Sequence, residues 1–286
     1  MRIDAHHHLW DLTAVSYPWI EDPTPRFFGD HAPIRRNYLL PEFRADAEAC
    51  GIEASVHIQV GAADPMEEAL WVQSVIDAYG WPMVQVVFCD LTAEDVADQL
   101  AAYARLPSVR GVRQIVGRSA EEDAKTGTNT LLGNPKFIEG LKRAADHNFS
   151  FDLQLTPPVM DATADVFAKV PELNAVLCHA GSPHDRSETG LEAWAKGLRA
   201  LSDLPQMHCK LSGLGMFDHR WTAETVRPIT DTVLKQFGLG RVMWGSNFPV
   251  CALSASYKDT FNRHWQNAAG SSQVFGETAA RFYAIP

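Results

Sequence analysis

Eight short apolar, β-branched runs recur along this chain: one opening at Ile3, then residues 54–60, 83–88, 109–116, 149–155, 174–179, 206–211 and 241–244. Stretches with apolar residues three and four apart lie between them, at 41–50, 66–79, 94–105, 135–147, 188–201 and 222–237. Alternation of strand and helix at this length leaves two solutions, a closed barrel or an open doubly wound sheet.

The placement of polar residues decides between them. His8, Asp90, Gln154, His179, Ser212 and Asn247 fall at or just after the ends of different runs, where a barrel assembles its active site. No Gly-rich phosphate-binding sequence follows a run, so the nucleotide sites of open sheets are unsupported. The expectation is a (β/α)8 TIM barrel in one domain spanning residues 1–286.

Charge narrows the partners. The formal net charge is -10, and the 25 basic residues are scattered rather than gathered into a stripe, which argues against nucleic acid. No run approaches the roughly 18 apolar residues of a membrane span, and the start lacks a basic region followed by an apolar one. Five cysteines at wide, irregular spacing give neither a disulfide framework nor a zinc pattern. The expectation is an unexported, cytoplasmic protein acting on small molecules, with a homo-oligomer compatible with the sequence.

Chemistry concentrates at Asp4-Ala5-His6-His7-His8. Side chains alternate along a strand, so His6 and His8 share a face and can converge on one metal ion or one substrate carbonyl, while His7 points away. A purification tag is the plain alternative, but tags are longer uninterrupted runs. Asp4 has the same parity and lies deeper, either orienting a histidine or bonded to backbone. His179 ends the sixth run and brings a third imidazole to the same rim, enough for one zinc ion with an open position for water. An isolated loop histidine is the alternative there. His57 and His208 sit within strands and read as core. Cys178 and Cys209 have opposite parity to His179 and Lys210, which argues against a Cys–His nucleophilic pair.

Other polar residues shape a pocket. Arg113 shares parity with Gly111 on the fourth strand and can clamp a carboxylate; Lys210 and Ser212 share parity on the seventh. An ion pair inside the barrel is the alternative for Arg113 and Lys210. Trp10 and the long stretch 11–40 after it, with Tyr17, Trp19, Phe27, Phe28 and Tyr38 and with Arg26, Arg35 and Arg36 interleaved, read as an aromatic lid over a small anionic or cyclic polyol substrate. Its alternative is a hydrophobic cluster plugging the barrel or packing on another subunit. Residues 119–133, polar and rich in Gly and Thr, read as an exposed loop. Arg113, Gln154, Lys210, Ser212 and Trp19 form the expected substrate-binding set.

Four elements together carry a family resemblance: Asp4-Ala5-His6-x-His8, the His179 before Gly181, Cys209-Lys210-Leu211-Ser212-Gly213, and Gly245-Ser246-x-x-Pro249. They resemble the lactonase-type branch of the amidohydrolase superfamily, the group of fuconolactonase and pyrone-dicarboxylate lactonase. The resemblance runs from residue 4 to about Cys251 and implies a (β/α)8 fold. In that group the residue two after the glycine is typically an Asp serving as general base; here it is Asn247. An amide neither accepts that proton at neutral pH nor supplies the anionic charge a bound dication needs.

Three arrangements replace the missing carboxylate. Asn247 orients water or substrate while His179 acts as base; or zinc held by His6, His8 and His179 activates the water; or Asp90 or Asp218 reaches in from a neighbouring loop. The expected function is metal-independent opening of the lactone of a sugar acid or aromatic-breakdown intermediate. His6 and His8 polarise or position the carbonyl, His179 assists proton transfer, and Asn247 orients water. Two rivals share the fold: a zinc-dependent amidohydrolase or decarboxylase, and a binding barrel without catalysis.

Overall fold

The computed structural model describes residues 1–286. Its strands are β1 (Ile3–His7), β2 (Ala54–Ile58), β3 (Val84–Phe88), β4 (Val109–Ile115), β5 (Ser150–Gln154), β6 (Ala175–Leu177), β7 (Met207–Leu211) and β8 (Val242–Trp244). They form one sheet in sequential order with every neighbouring pair parallel. Just past the ends of the first and last strands, the Asn247 N–H donates to the His6 carbonyl and the His8 N–H to the Phe248 carbonyl, both at 2.7 Å. Helices lie between the strands, so the molecule is the nearly closed (β/α)8 barrel that the alternation predicts.

Eleven α-helices accompany the strands: α1 (Pro18–Glu21), α2 (Leu40–Ala49), α3 (Pro65–Tyr79), α4 (Val96–Tyr103), α5 (Ala120–Thr126), α6 (Pro135–Asp146), α7 (Met160–Phe167), α8 (Glu188–Ser202), α9 (Ala223–Phe237), α10 (Tyr257–Asn267) and α11 (Thr278–Phe282). Their boundaries follow local chemistry. The Asp64 carboxylate accepts from the Met66 and Glu67 N–H groups to start α3, and Gly80, at φ 67°, stops it. No helix is long and apolar enough to cross a membrane.

Three local expectations change. Residues 119–133 are not an open loop: they form α5 and a 3-10 helix, Thr128–Gly133. Ser119 caps α5, three acidic residues occupy its first turn, Lys125 its last, and Gly127 ends it at φ 65°, a complete set of helix signals in a segment whose composition reads as loop. The sixth strand stops at Leu177, two residues short of His179. Helices α1, α7, α10 and α11 have no counterpart in the predicted elements.

Residues 11–40 are ordered against the barrel. Tyr17, Ile20, Phe28 and Ile34 are buried, and just outside the segment's start Trp10 pairs with Tyr38 in an antiparallel bridge. Burying those rings supplies the packing that fixes a segment with little regular structure.

Candidate active site

A cavity of about 600 Å³ opens at the C-terminal ends of the strands, and His8, His179, Asn247, Arg113, Gln154 and Trp19 all line it. Six expected site residues thus meet in one space. His6 lies behind that wall, wholly buried, with ring centroids 5.1 Å from His8 and 4.6 Å from His179. Neither of its ring nitrogens has a partner, a costly state for a buried polar group unless something else occupies it.

The backbone is bent to make this arrangement. His179 and Ala180 sit in the left-handed region at φ 55° and 52°, and Asn247 at φ 57°, conformations that cost energy in non-glycine residues and cluster at functional sites. Asn is among the residues that tolerate that region best. Two glycines make room: a Cβ on Gly245 would lie 2.5 Å from the His6 Cβ, and one on Gly213 only 2.5 Å from His179 Nδ1.

Hydrogen-bond partners assign the tautomers. His8 Nδ1 lies 2.7 Å from the Ile58 carbonyl oxygen, which only accepts, so Nδ1 carries the proton and Nε2 presents a lone pair. His179 Nδ1 lies 2.9 Å from Ser212 Oγ, which also accepts from the His179 backbone N–H. The Ser212 hydroxyl proton has no other acceptor and goes to Nδ1, which leaves His179 Nε2 as an N–H donor. Burial first, with Arg113 and neighbouring charges adding to it, holds His179 well below the usual imidazole range, and burial brings His8 down to about 3. Both rings are neutral at pH 7.

Asn247 Oδ1 faces His8 Nε2 at 3.3 Å, while its Nδ2 donates to Cys251 Sγ at 3.5 Å. Two acceptors turned toward one another have no bond to make. A water giving one proton to each resolves the contact, as does a cation or a turn of the amide that aims Nδ2 at His8.

Arg113 lines the cavity. It is 7 % exposed, donates to the Gln59 carbonyl at 2.8 Å and to the Gln154 side chain, and has no carboxylate partner. Lys210 does not reach the cavity: it is wholly buried and paired with Asp152 at 2.5 Å, the interior ion pair that was its alternative. Tyr283 O–H, from the turn after α11, also donates to Asp152 at 2.8 Å. Ser212 acts on His179 rather than lining the cavity. Asp4 is bonded to backbone, accepting from the His6 and Ser246 N–H groups, and to the Tyr257 hydroxyl. His7 stacks on Phe43 at 3.8 Å, outside the barrel.

Of the two substitute carboxylates, Asp90 lines the cavity with its Oδ1 already accepting from Thr92. Asp218 does not line it and lies 3.8 Å from Arg186. Sequence reasoning passed over Gln59, Gln114 and Arg118, which also line the cavity; the first two stand at or near strand ends and were legible there, whereas Arg118 belongs to the turn before α5. It also missed Glu68 of α3, a buried carboxyl that accepts from the Val60 N–H and that burial pushes up to about 8.

The amidohydrolase profile matches residues 3–285. This chain belongs to the amidohydrolase family. It is 34% identical over 293 residues to the uncharacterized protein y4mH of Sinorhizobium fredii, covering 99% of this chain and 98% of that one. It is 30% identical over 306 residues to an L-fucono-1,5-lactonase of Burkholderia multivorans, covering 100% and 97%. A crystal structure of an amidohydrolase from Burkholderia multivorans with bound zinc superposes with a TM-score of 0.85 at 28% identity, over 100% of both chains. The amidohydrolase is a hydrolase, as its motifs predict.

That zinc raises the question of fit here. The orphaned nitrogens of His6, the free Nε2 of His8 and the facing Asn247 Oδ1 are donors of a type that zinc accepts. No free carboxylate joins them. Ligand atoms of His6, Asp152 and Cys178 lie within 4.8 Å of one another, but Asp152 is engaged by Lys210 and Tyr283. By donor type the site fits one ion; its charge is carried by neutral ligands alone.

Proposed function

We propose that this amidohydrolase opens the lactone ring of a sugar acid or aromatic-breakdown intermediate by water attack on the ring carbonyl. The observation that carries the reading is the facing pair of acceptors, His8 Nε2 and Asn247 Oδ1, at 3.3 Å. The attacking water donates one proton to each, and His8 takes its proton as the water oxygen bonds to the carbonyl carbon, the negative charge developing there offsetting the burial that holds His8 down to about 3. Neutral His179 donates from Nε2 to the carbonyl oxygen as negative charge develops there. The sequence leads to the reverse roles for these two histidines; the bonds to Ile58 and Ser212 support the exchange. Protonated His8 then returns its proton to the departing ring oxygen as the C–O bond breaks, giving a hydroxy acid.

Arg113 holds a carboxylate on the substrate, because a buried guanidinium without an anionic partner is satisfied by one. Trp19 and Gln154 border the ring. The lactonase among the relatives supports the reaction class, and the polar wall of the cavity supports a hydroxylated or carboxylated ring.

Zinc is the second reading, favoured by the unpartnered nitrogens of His6. His6 and His8 would hold it, with Asn247 Oδ1 beside them; His179 would join them only as the other tautomer, with its proton on Nδ1 and Ser212 accepting, and the ion would supply Lewis-acid polarisation of the carbonyl. The test combines metal analysis of the purified protein with a proton-release assay on aldono-1,5-lactones before and after chelation. Turnover that survives chelation at substoichiometric metal supports the first reading; stoichiometric zinc with activity lost on its removal supports the second.

A further inference from the structure

A second cavity of about 540 Å³ adjoins the first. Five residues, Phe27, Ile115, Arg118, Gln154 and Met216, stand in the walls of both, so the two are chambers of one space. Gln154 is at the seam and is tethered to Arg113 on the catalytic side.

The chambers differ in chemistry. The catalytic one presents histidines, amides and guanidinium beside its aromatic rings; beyond Gln154 an apolar strip of Leu155, Pro158, Val159 and Phe217 accompanies a polar one that includes Glu122, Asn129 and His184. Phe27 is 48% exposed although it stacks on Phe217 at 6.0 Å, which leaves much of an aromatic ring open at the chamber they share. A small cyclic substrate is enclosed by the first chamber, whose volume lies in the ordinary range for such sites. The second is then available to whatever the ring carries.

We propose that the second chamber is a subsite for a hydrocarbon substituent on the lactone ring, alkyl or aryl and longer than methyl. This rests on the lactonase reading and narrows its substrate class. The ring sits against His179 and Asn247, and the substituent passes Gln154 to lie along Phe27, Val159 and Phe217. Each methylene buried there raises kcat/KM about fourfold, the equivalent of its transfer from water.

The test is a series of δ-lactones bearing hydrogen, propyl or hexyl on the carbon attached to the ring oxygen, followed by proton release. The expected result is a kcat/KM ratio of hexyl to unsubstituted lactone of 100 or more in the native enzyme. Val159→Trp and Ala120→Trp, which fill the chamber from two of its walls, each bring that ratio toward one. Calorimetry with the ring-opened hydroxy acids reads the same contact without turnover and gives affinity that grows with chain length only in the native enzyme. A flat series in both measurements, or a gain that survives both substitutions, overturns the subsite. Absent turnover of every lactone with the calorimetric gain intact overturns the lactonase reading and leaves the subsite standing.

Discussion

His179 reaches the cavity because its backbone turns left-handed immediately after β6 and because Ser212 fixes which nitrogen carries its proton. Replacing His179 with Asn is expected to lower kcat about 100- to 1000-fold, the usual loss when one donor to a developing oxyanion is removed. Steady-state proton release measures this, and unchanged kcat would remove His179 from the reaction. Ser212→Ala frees Nδ1 and is expected to lower kcat while leaving KM close to native, because it acts through the tautomer. At Asn247 the question is charge. Asn247→Asp places an anion beside His8 Nε2 and is expected to increase zinc bound per chain, read by elemental analysis; equal zinc in both proteins would show that the missing carboxylate is not what limits binding. Arg113→Met is expected to raise KM about tenfold or more for lactones bearing a carboxylate, with little change for neutral ones, since a charge-assisted hydrogen bond contributes about 1.5–3 kcal/mol.

Among the elements, the strand ends were the most legible part of the sequence. The histidine pair on β1 and the polar residues closing β5 and β7 are readable from period-two alternation and from the turn that follows each run. Tautomers were not readable, because they depend on Ile58 and Ser212, which come from other strands. Nor was the ion pair of Lys210: the same parity describes a side chain pointing into the cavity and one buried below it, and only depth along the barrel separates them. Helix α5 was missed because capping and charge at its ends outweigh a composition that reads as loop. Close approach between neighbouring strands was also hidden. Gly245→Ala would force a methyl to 2.5 Å from the His6 Cβ and is expected to cost about 1–3 kcal/mol, measured by urea unfolding.

At the scale of the whole molecule, Glu68 makes stability depend on pH. Folded, it keeps its proton to about pH 8; unfolded, it releases it near its ordinary 4.5. The folded state therefore binds the extra proton, and its contribution is present below pH 4.5 and lost as pH rises through 8. The melting temperature is expected to fall over that range, with a smaller fall in Glu68→Gln; identical slopes would contradict the assignment. Lys210, Asp152 and Tyr283 join β7, β5 and the C-terminal turn at the barrel's interior. Lys210→Met leaves a buried carboxylate unpaired and is expected to cost about 3–5 kcal/mol, much of it recovered in the double variant with Asp152→Asn. All of this scaffolding serves one claim, that water held between His8 and Asn247 attacks a lactone carbonyl polarised by His179. The most direct measurement is the rate of proton release from an aldono-1,5-lactone by the chelated protein, compared with spontaneous hydrolysis. The account predicts an acceleration that disappears in His179→Asn; a rate equal to the spontaneous one would contradict it.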